Sequence, residues 1–282
     1  MTRSHPARIG VVMAGAVDTS IARISGTSRR KDRSSKRAPA LVRHSLTALS
    51  PTSLEEARRV LRDCAQLRNL SEHERNALVA RAHMRSFEAG DTIFLMGTQH
   101  DSIMAVLNGM VKISVSSADG KEIVLAILHA GEVFGEVDML DGKPRSADAS
   151  ALTACNLAVL DRRDVLAALQ RNPSAWPGLF GVLCSRLRET EQHLVEVALL
   201  GLPIRLAKAV LRELDSQGAQ EPVSPGNEFR LSQSELACLV GAARENVNKC
   251  LHKWRHLGII RTEKRVIKIV DRNALEALAE PQ

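Results

Sequence analysis

The chain is poor in aromatic residues, since its 282 residues include no Tyr, five Phe and two Trp. Proteins that read RNA or single-stranded DNA commonly stack bases on aromatic side chains, so this scarcity argues against that class. The chain also lacks an apolar run near the roughly 18 residues that a membrane-spanning helix needs. We therefore expect a cytoplasmic protein with no membrane partner.

Clustered metal ligands are also lacking. The five cysteines are dispersed along the chain, at Cys64, Cys155, Cys184, Cys238 and Cys250, and no C-x-x-C pair occurs. An odd and scattered set is typical of reduced thiols in a cytosolic protein, whereas zinc and iron–sulfur sites need ligands close together. We predict no metal site. Because no Ser/His/Asp set and no phosphate-binding P-loop is present either, we do not expect an enzyme.

The positive charge is concentrated at the N-terminus. The chain carries a net +7, but residues 1–50 alone hold ten Lys or Arg against two acids, a balance of +8. This segment is rich in Ser, Thr, Ala and Arg without sustained periodicity, which predicts a basic, disordered tail. It could be an arm that touches DNA phosphates, a targeting presequence, or the product of a start assigned too far upstream; we favour a dispensable tail or a misplaced start.

Signs of folded structure begin near Pro51. Ser53 with Glu56 forms a capping-box pattern that predicts a helix, and Ser71 with Glu74 predicts a second helix that ends near His83. Glycines then recur, mostly 11 or 12 residues apart, at positions 90, 97, 109, 120, 131 and 142. Strands are predicted between and after these turns, over 102–107, 111–115, 122–128, 149–154 and 156–160. Short strands at this spacing predict an antiparallel sandwich or barrel.

A binding motif lies late in this series, over residues 134–147. It places the carboxylate of Glu136 nine residues before the guanidinium of Arg145, around a glycine turn, and Ser146 adds a hydroxyl. A carboxylate can accept a hydrogen bond from a sugar hydroxyl, and the planar guanidinium fork suits phosphate oxygens. One Glu and one Arg could also form an incidental surface ion pair. The full 14-residue string favours a site for a sugar phosphate.

A long helix is predicted from about Ser174 to Leu200. Its apolar seam has the spacing of a coiled coil, 3, 4, 3, 4, 3, through Phe180, Leu183, Leu187, Thr190, Leu194 and Val197. An amphipathic helix that packs on its own barrel would show a similar stripe. The length of the seam and the polar Thr190 within it favour a homodimer.

A helix-turn-helix is predicted after a Gly/Pro hinge at 201–203. Ser232 should cap a short helix, Gly241 should make the turn, and a second helix should bury Val247, Leu251 and Trp254. Residues 244–268 carry eight Lys or Arg against two acids, which suits DNA phosphate. The run from Ile260 to Ile269, broken by charged residues, predicts the small β-wing of a winged domain.

These motifs together resemble the Crp–Fnr family of bacterial transcription regulators, over about residues 53–275. The resemblance rests on the 134–147 string, the seam helix, the segment Leu202–Ala207 and the helix sequence 243–249. It implies an α+β protein in three parts after the tail: a cyclic-nucleotide-binding β-roll at 53–172, a dimerisation helix at 173–200 and a winged helix-turn-helix DNA-binding domain at 201–282.

The resemblance also implies roles for individual residues. Glu136 would bind the ribose 2′-hydroxyl, Arg145 and Ser146 the cyclic phosphate, and Thr190 the base. Phe134, Gly135, Val137 and Ala147 complete the expected ligand-binding set. The expected DNA-binding residues are Ser232, Gln233, Arg244, Glu245, Asn248, Lys249 and Lys253. The family position that reaches the partner subunit's nucleotide is Glu191 here rather than a small hydroxyl residue, and Lys249 stands where Arg is common.

The function implied is a regulator gated by a cyclic nucleotide, cAMP or cGMP, that binds pseudo-palindromic double-stranded DNA as a homodimer. No tightly bound cofactor is expected, and RNA polymerase is an implied partner. The alternative is a DNA-binding regulator of the same fold that is independent of an effector or responds to another signal. Nucleotide binding distinguishes the two.

Overall fold

The computed structural model describes residues 70–99, 101–218, 228–229, 231–263 and 266–280, together with Glu55, residues 59–61 and Cys64. They belong to one compact unit, Arg43–Gln282. The predicted tail at 1–50 and most of the helix expected after Ser53 lie outside the described residues. No helix within the described part is long and apolar enough to cross a membrane.

The N-terminal half of the described chain is a β-roll. In chain order its strands are β1 (His83–Phe87), β2 (Thr92–Phe94), β3 (Ser102–Asn108), β4 (Val111–Ser116), β5 (Glu122–Leu128), β6 (Val133–Phe134), β7 (Asp148–Ala151) and β8 (Cys155–Asp161). They pair in two antiparallel sheets, of order β1-β8-β3-β6 and β2-β7-β4-β5. The sequence therefore predicted the sandwich correctly.

The first of these sheets is covered on both faces, which explains why β3 is apolar almost throughout. Met104 and Val106 point into the core between the two sheets. Ile103 and Ala105, which alternate with them, pack in a second core. Helices α1 (Glu72–Arg81) and α3 (Arg162–Arg171) contribute to that second core. Side chains alternate between the faces of a strand, so a strand buried on both faces cannot alternate polar with apolar residues.

Most predicted boundaries agree with the structure to within a few residues. All five strands predicted between 102 and 160 are present. The helix predicted to run from Ser71 to about His83 ends earlier, at Arg81, because Ala82 has extended backbone and His83 begins β1. Ser71 is the N-cap, as the capping-box pattern predicted. A short helix, α2 (Glu136–Asp141), follows β6.

The long helix α4 (Trp176–Leu199) leaves much of its apolar seam exposed in the protomer. Phe180, Leu187 and Leu194 are 54%, 59% and 67% exposed. At these three positions the stripe is therefore not covered by the β-roll of its own chain, whereas Leu183 is half-buried. The next helix, α5 (Leu202–Gly218), begins after a break at Leu200 and Gly201.

The C-terminal part contains the predicted helix-turn-helix and wing. Its elements are β9 (Glu228–Phe229), α6 (Gln233–Leu239), α7 (Arg244–His256), β10 (Ile260–Glu263), β11 (Val266–Ile269) and α8 (Arg272–Ala279). Strands β10, β11 and β9 form one small antiparallel sheet, in that order. The core of this part is built around Trp254, which is 2% exposed, with Val247 and Leu251 from the same helix.

The β-roll and the C-terminal part are in contact. Ile127 of β5 and Leu152 pack against the C-terminal core. Next to them, Nε2 of His129 lies 3.3 Å from Oε2 of Glu213 on α5, and both side chains are largely buried. The two atoms are close enough for an ion pair but are not aligned for a hydrogen bond.

Candidate functional site

The 134–147 motif folds into β6, α2 and the segment that precedes β7, and its charged side chains Glu136, Asp138 and Arg145 are buried. Gly135 joins β6 to α2 with a φ of +80°, a conformation that glycine adopts most readily. A Cβ atom there would lie 2.4 Å from Nη1 of Arg145. Glycine is therefore required at this position, both for the backbone angle and because the arginine passes against it.

Glu136 is a fully buried carboxylate with one oxygen bound and the other unpartnered. Its Oε1 accepts a hydrogen bond from Nη1 of Arg186 on α4, at 2.5 Å, whereas its Oε2 has no hydrogen-bond partner among the described residues. Burial raises the pKa of Glu136, and the Arg186 cation offsets part of that rise. The motif thus presents a buried acceptor, as a ribose hydroxyl would require.

Arg145 is held by the protein on almost every side. Its side chain is 0% exposed. Nη2 donates to the Ser102 backbone oxygen at 2.7 Å and to Ser102 Oγ at 3.2 Å. The guanidinium also lies 4.3 Å from the centre of the Phe94 ring, within the range of a cation–π contact. Only Nε has no partner among the described residues.

An acidic residue, Asp138, binds both residues that were expected to hold a phosphate, Arg145 through its guanidinium and Ser146 through its backbone N–H. Nη1 of Arg145 lies 3.3 Å from its Oδ2, and the backbone N–H of Ser146 donates to its Oδ1 at 3.1 Å. The same Nη1 also donates to the Gly135 backbone oxygen at 3.2 Å. Asp138 could not be identified from the sequence, because its spacing from Arg145 has no meaning until the position of α2 is known.

The remaining predicted ligand residues are distributed between core and surface. Phe134 and Ala147 are buried, and Phe134 packs on Phe94 with ring centres 5.8 Å apart. Val137 is 46% exposed, and Ser146 is also exposed. Thr190 is exposed and donates through Oγ1 to the Arg186 backbone oxygen, at 2.8 Å. The recorded contact of Thr190 therefore lies within its own helix, one turn after the residue that binds Glu136.

Arg186 is a site residue that the sequence analysis passed over. Besides Glu136 it binds the backbone oxygen of Val133. The only sign of this role in the sequence was that Arg186 lies beside the apolar seam and not in it. A residue in such a position can face the domain of its own chain on which the helix lies. Through Arg186 the long helix is tied directly to the carboxylate of the motif.

The helix-turn-helix presents a polar face to solvent. Arg244, Glu245, Lys249 and Lys253 of α7 are exposed, while Val247, Leu251 and Trp254 anchor the opposite face. Asn248 is half-buried, and its Oδ1 has no partner within the described part. The exposed groups carry donors and acceptors of the kinds that read base edges in the major groove.

The first helix of the pair is fixed by a complete capping box. Ser232 Oγ accepts the N–H of Glu235 at 3.2 Å, and the Glu235 carboxylate accepts the N–H of Ser232 at 2.6 Å. Ser232 therefore has a structural role, and its hydroxyl hydrogen is still available to donate to a phosphate. Gln233, the next residue, is half-exposed.

A sensor-type β-roll with a buried carboxylate and guanidinium, joined to an exposed recognition helix, defines a class: DNA-binding regulators that carry their own ligand-binding domain. Comparison with known families agrees. The cyclic nucleotide-binding domain matches residues 84–172, and the Crp-like helix-turn-helix domain matches residues 204–278.

Among the described residues no group of three or more His, Cys, Asp or Glu is arranged to hold a metal ion.

Individual relatives place the chain more narrowly. It is 33% identical over 199 residues to a CRP-like cAMP-activated global transcriptional regulator of Mycobacterium tuberculosis, covering 71% of this chain and 89% of that protein. It is also 33% identical over 195 residues to the cyclic AMP receptor protein of Thermus thermophilus, covering 69% and 87%. A solved CRP/FNR-family transcriptional regulator from Thermus thermophilus superimposes with a TM-score of 0.59 at 27% identity, covering 70% and 98%. The chain belongs to the Crp–Fnr family of transcriptional regulators.

Proposed function

We propose that this regulator is gated by a cyclic nucleotide, with cAMP the first candidate, and that it binds pseudo-palindromic DNA as a homodimer. The observation that carries the proposal is the fully buried Oε2 of Glu136, an acceptor without a partner in the described part of the chain. Buried polar atoms are normally hydrogen-bonded, so an unpartnered one at a predicted ligand site calls for a donor. A ribose 2′-hydroxyl is a donor of the right kind.

The phosphate end of the proposed site supports the same ligand. Arg145 carries a permanent charge inside the β-roll, where charge-assisted hydrogen bonds are strong. Its Nε has no partner among the described residues and is a further donor for a phosphate oxygen. The M. tuberculosis and T. thermophilus relatives, described respectively as cAMP-activated and as a cyclic AMP receptor, support cAMP over cGMP.

The exposed seam of α4 supports a homodimer. Apolar side chains at coiled-coil spacing, each more than half exposed at Phe180, Leu187 and Leu194, are what a partner helix would cover. Two-fold pairing of α4 would present two copies of α7, which suits a site with half-sites about one helical turn apart. Because the chain belongs to the Crp–Fnr family, we also propose that it acts with RNA polymerase in the cytoplasm.

One observation favours the alternative, a regulator of this fold that needs no nucleotide. Both charged groups of the site already bind the protein itself, Glu136 through Arg186 and Arg145 through Asp138. A site whose charges are balanced by the protein itself could serve the fold alone. In that case the purified protein would bind DNA with the same affinity whether or not a nucleotide is present.

Calorimetry of the purified protein with cAMP, cGMP and AMP distinguishes the two. The proposal predicts saturable binding of a cyclic nucleotide and much weaker binding of AMP, whose phosphate carries an additional negative charge and is not tied back to the ribose. Arg145→Leu should abolish this binding, because the cyclic phosphate then has no cation in a buried pocket. Undiminished affinity in a folded Arg145→Leu protein would remove the assignment of this site.

A further inference from the structure

Asp138 is a buried acid in direct contact with the two residues of the expected phosphate site. Its two carboxylate oxygens each accept one donor: Oδ2 faces Nη1 of Arg145 at 3.3 Å, and Oδ1 accepts the N–H of Ser146 at 3.1 Å. Those are the guanidinium and the residue that were expected to hold the cyclic phosphate. The contact is shielded from solvent, since the side chains of Asp138 and Arg145 are 6% and 0% exposed.

We propose that Asp138 is an internal competitor for the phosphate subsite, and that it sets both the affinity and the selectivity of the site. The proposal rests on the proposed function for the identity of the natural ligand. An incoming phosphodiester and the Asp138 carboxylate are both anions that need the Arg145 guanidinium. Like charges at contact distance in a region of low dielectric repel strongly, so the two cannot occupy the subsite together.

The selectivity follows from what a ligand must offer in exchange. A simple anion such as inorganic phosphate would replace one charge-assisted contact with another and would gain little. A cyclic nucleotide adds a hydroxyl that can bind the unpartnered Oε2 of Glu136, so only the larger ligand has an extra interaction with which to displace Asp138. Asp138 thus prevents simple anions from occupying the buried arginine.

The chain on either side of Asp138 reaches the surface. Val137, the residue before Asp138, is 46% exposed, and residues 141–144, which lead from α2 to Arg145, are all exposed. Arg145 would keep Ser102 and Gly135 as partners during the exchange.

The direct test compares wild type, Asp138→Asn and Asp141→Asn in two binding assays. Asn keeps the shape of Asp and an acceptor for the Ser146 N–H but removes the charge. Asp141 lies on the same helix, is more exposed and among the described residues binds only Lys143. Asp141→Asn therefore controls for a general change in charge. The first assay is calorimetry with cAMP. The second follows the Ser146 amide and Arg145 Nε signals by NMR while inorganic phosphate is added.

We expect the Kd of Asp138→Asn for cAMP to be at least about tenfold lower than that of wild type. The reason is that cAMP no longer has to displace a charge-assisted contact between Asp138 and Arg145. We also expect phosphate to move the Ser146 and Arg145 signals in Asp138→Asn but not in wild type or Asp141→Asn. Equal cAMP affinity with no gain of phosphate binding overturns the proposal and leaves cyclic-nucleotide gating intact. A gain of phosphate binding without any cyclic-nucleotide binding supports the internal competitor and overturns the proposed function.

Loss of stability in Asp138→Asn does not weaken the test. If this variant unfolds more readily because Arg145 has lost its counterion, phosphate should restore its melting temperature selectively. The double variant Asp138→Asn/Arg145→Leu is the control, because it lacks the guanidinium and should show no such rescue. Equal rescue of the single and the double variant would contradict the proposal.

Discussion

Nε2 of His129 lies 3.3 Å from Oε2 of Glu213, and this pair joins the β-roll to the first helix of the DNA-binding part. His129 follows β5 directly, and Glu213 lies on α5, 84 residues further along the chain. The backbone N–H of His129 also donates to Glu132 at 2.6 Å. Glu132 lies four residues before Glu136. The His129–Glu213 pair therefore connects the surroundings of the proposed nucleotide site with the DNA-binding part.

The His129–Glu213 pair should make the contact between the two parts dependent on pH. Burial alone lowers the pKa of His129, but the carboxylates of Glu213 and Glu132 outweigh it and raise that pKa above its ordinary value of 6.5. A raised histidine pKa stabilises the folded state at pH values below 6.5, and this stabilisation is lost as the pH rises through the raised value. We expect a loss on the order of 1 kcal/mol.

Glu213→Gln should lower the pKa of His129 and flatten the dependence of stability on pH above 6. NMR titration of the imidazole and urea unfolding at several pH values measure the two effects. Asp215→Asn is the matched control, since Asp215 lies on the same helix, is exposed and binds Arg272 instead. An unchanged His129 titration in Glu213→Gln would show that the pair does not exist in solution.

A second prediction concerns Arg186. Arg186→Gln leaves the fully buried Glu136 without its cation, so stability at neutral pH should fall by about 2–3 kcal/mol; the partial exposure of Arg186 keeps the loss at the low end of that for a buried pair. Glu136 in the variant should have a pKa raised further than in wild type. Protonation then removes the buried charge, so the difference in stability should shrink as the pH is lowered towards 5.

Urea unfolding at pH 5 and pH 8 tests this, with Arg188→Gln as the control because Arg188 is an exposed residue of the same helix. If Arg186→Gln and Arg188→Gln have the same stability at both pH values, then Arg186 does not hold Glu136.

The third prediction is a dimer through α4. Leu187→Glu or Leu194→Glu should give a folded monomer, because these side chains are 59% and 67% exposed in the protomer and the new charges would face each other across the two-fold axis. Arg188→Glu, off the seam, should remain a dimer. Analytical ultracentrifugation gives the answer, and a dimer of unchanged stability in both seam variants would place the interface elsewhere.

The fourth prediction separates the residues that read bases from those that bind phosphate. Glu245→Ala should relax specificity at one base pair, since a carboxylate on α7 can accept from a cytosine amino group, where discrimination is worth about 1–3 kcal/mol. Lys253→Ala should weaken binding to all sequences alike and reduce the salt dependence. Selection from random DNA and titrations at several salt concentrations distinguish the two. The opposite pattern would mean that α7 lies differently in the groove.

The architecture could be predicted from the sequence because local patterns determine where its helices, strands and turns lie. Glycine spacing located the turns of the β-roll, and Ser71 and Ser232 marked helix starts that the structure confirms. The seam of α4 was also visible from its spacing. Such features depend on residues close in the chain, where periodicity and capping chemistry carry the information.

The internal partners of the site were not predictable in this way. Arg186 and Glu136 are 50 residues apart, Arg145 and Ser102 are 43 apart, and neither distance follows a local period. The sequence indicated which groups could bind a sugar phosphate. It could not show that Asp138 and Arg186 already bind those groups, because this depends on how α2 and α4 pack on the β-roll.

Control of DNA binding by a cyclic nucleotide is tested by the affinity for a selected operator with and without the nucleotide. If ligand binding favours the DNA-competent form, linkage requires cAMP to tighten operator binding and the operator to tighten cAMP binding by the same factor. We expect a factor of about five or more, in the usual range of allosteric coupling, and its loss in Arg145→Leu. Equal operator affinity at zero and saturating cAMP and cGMP would contradict the account.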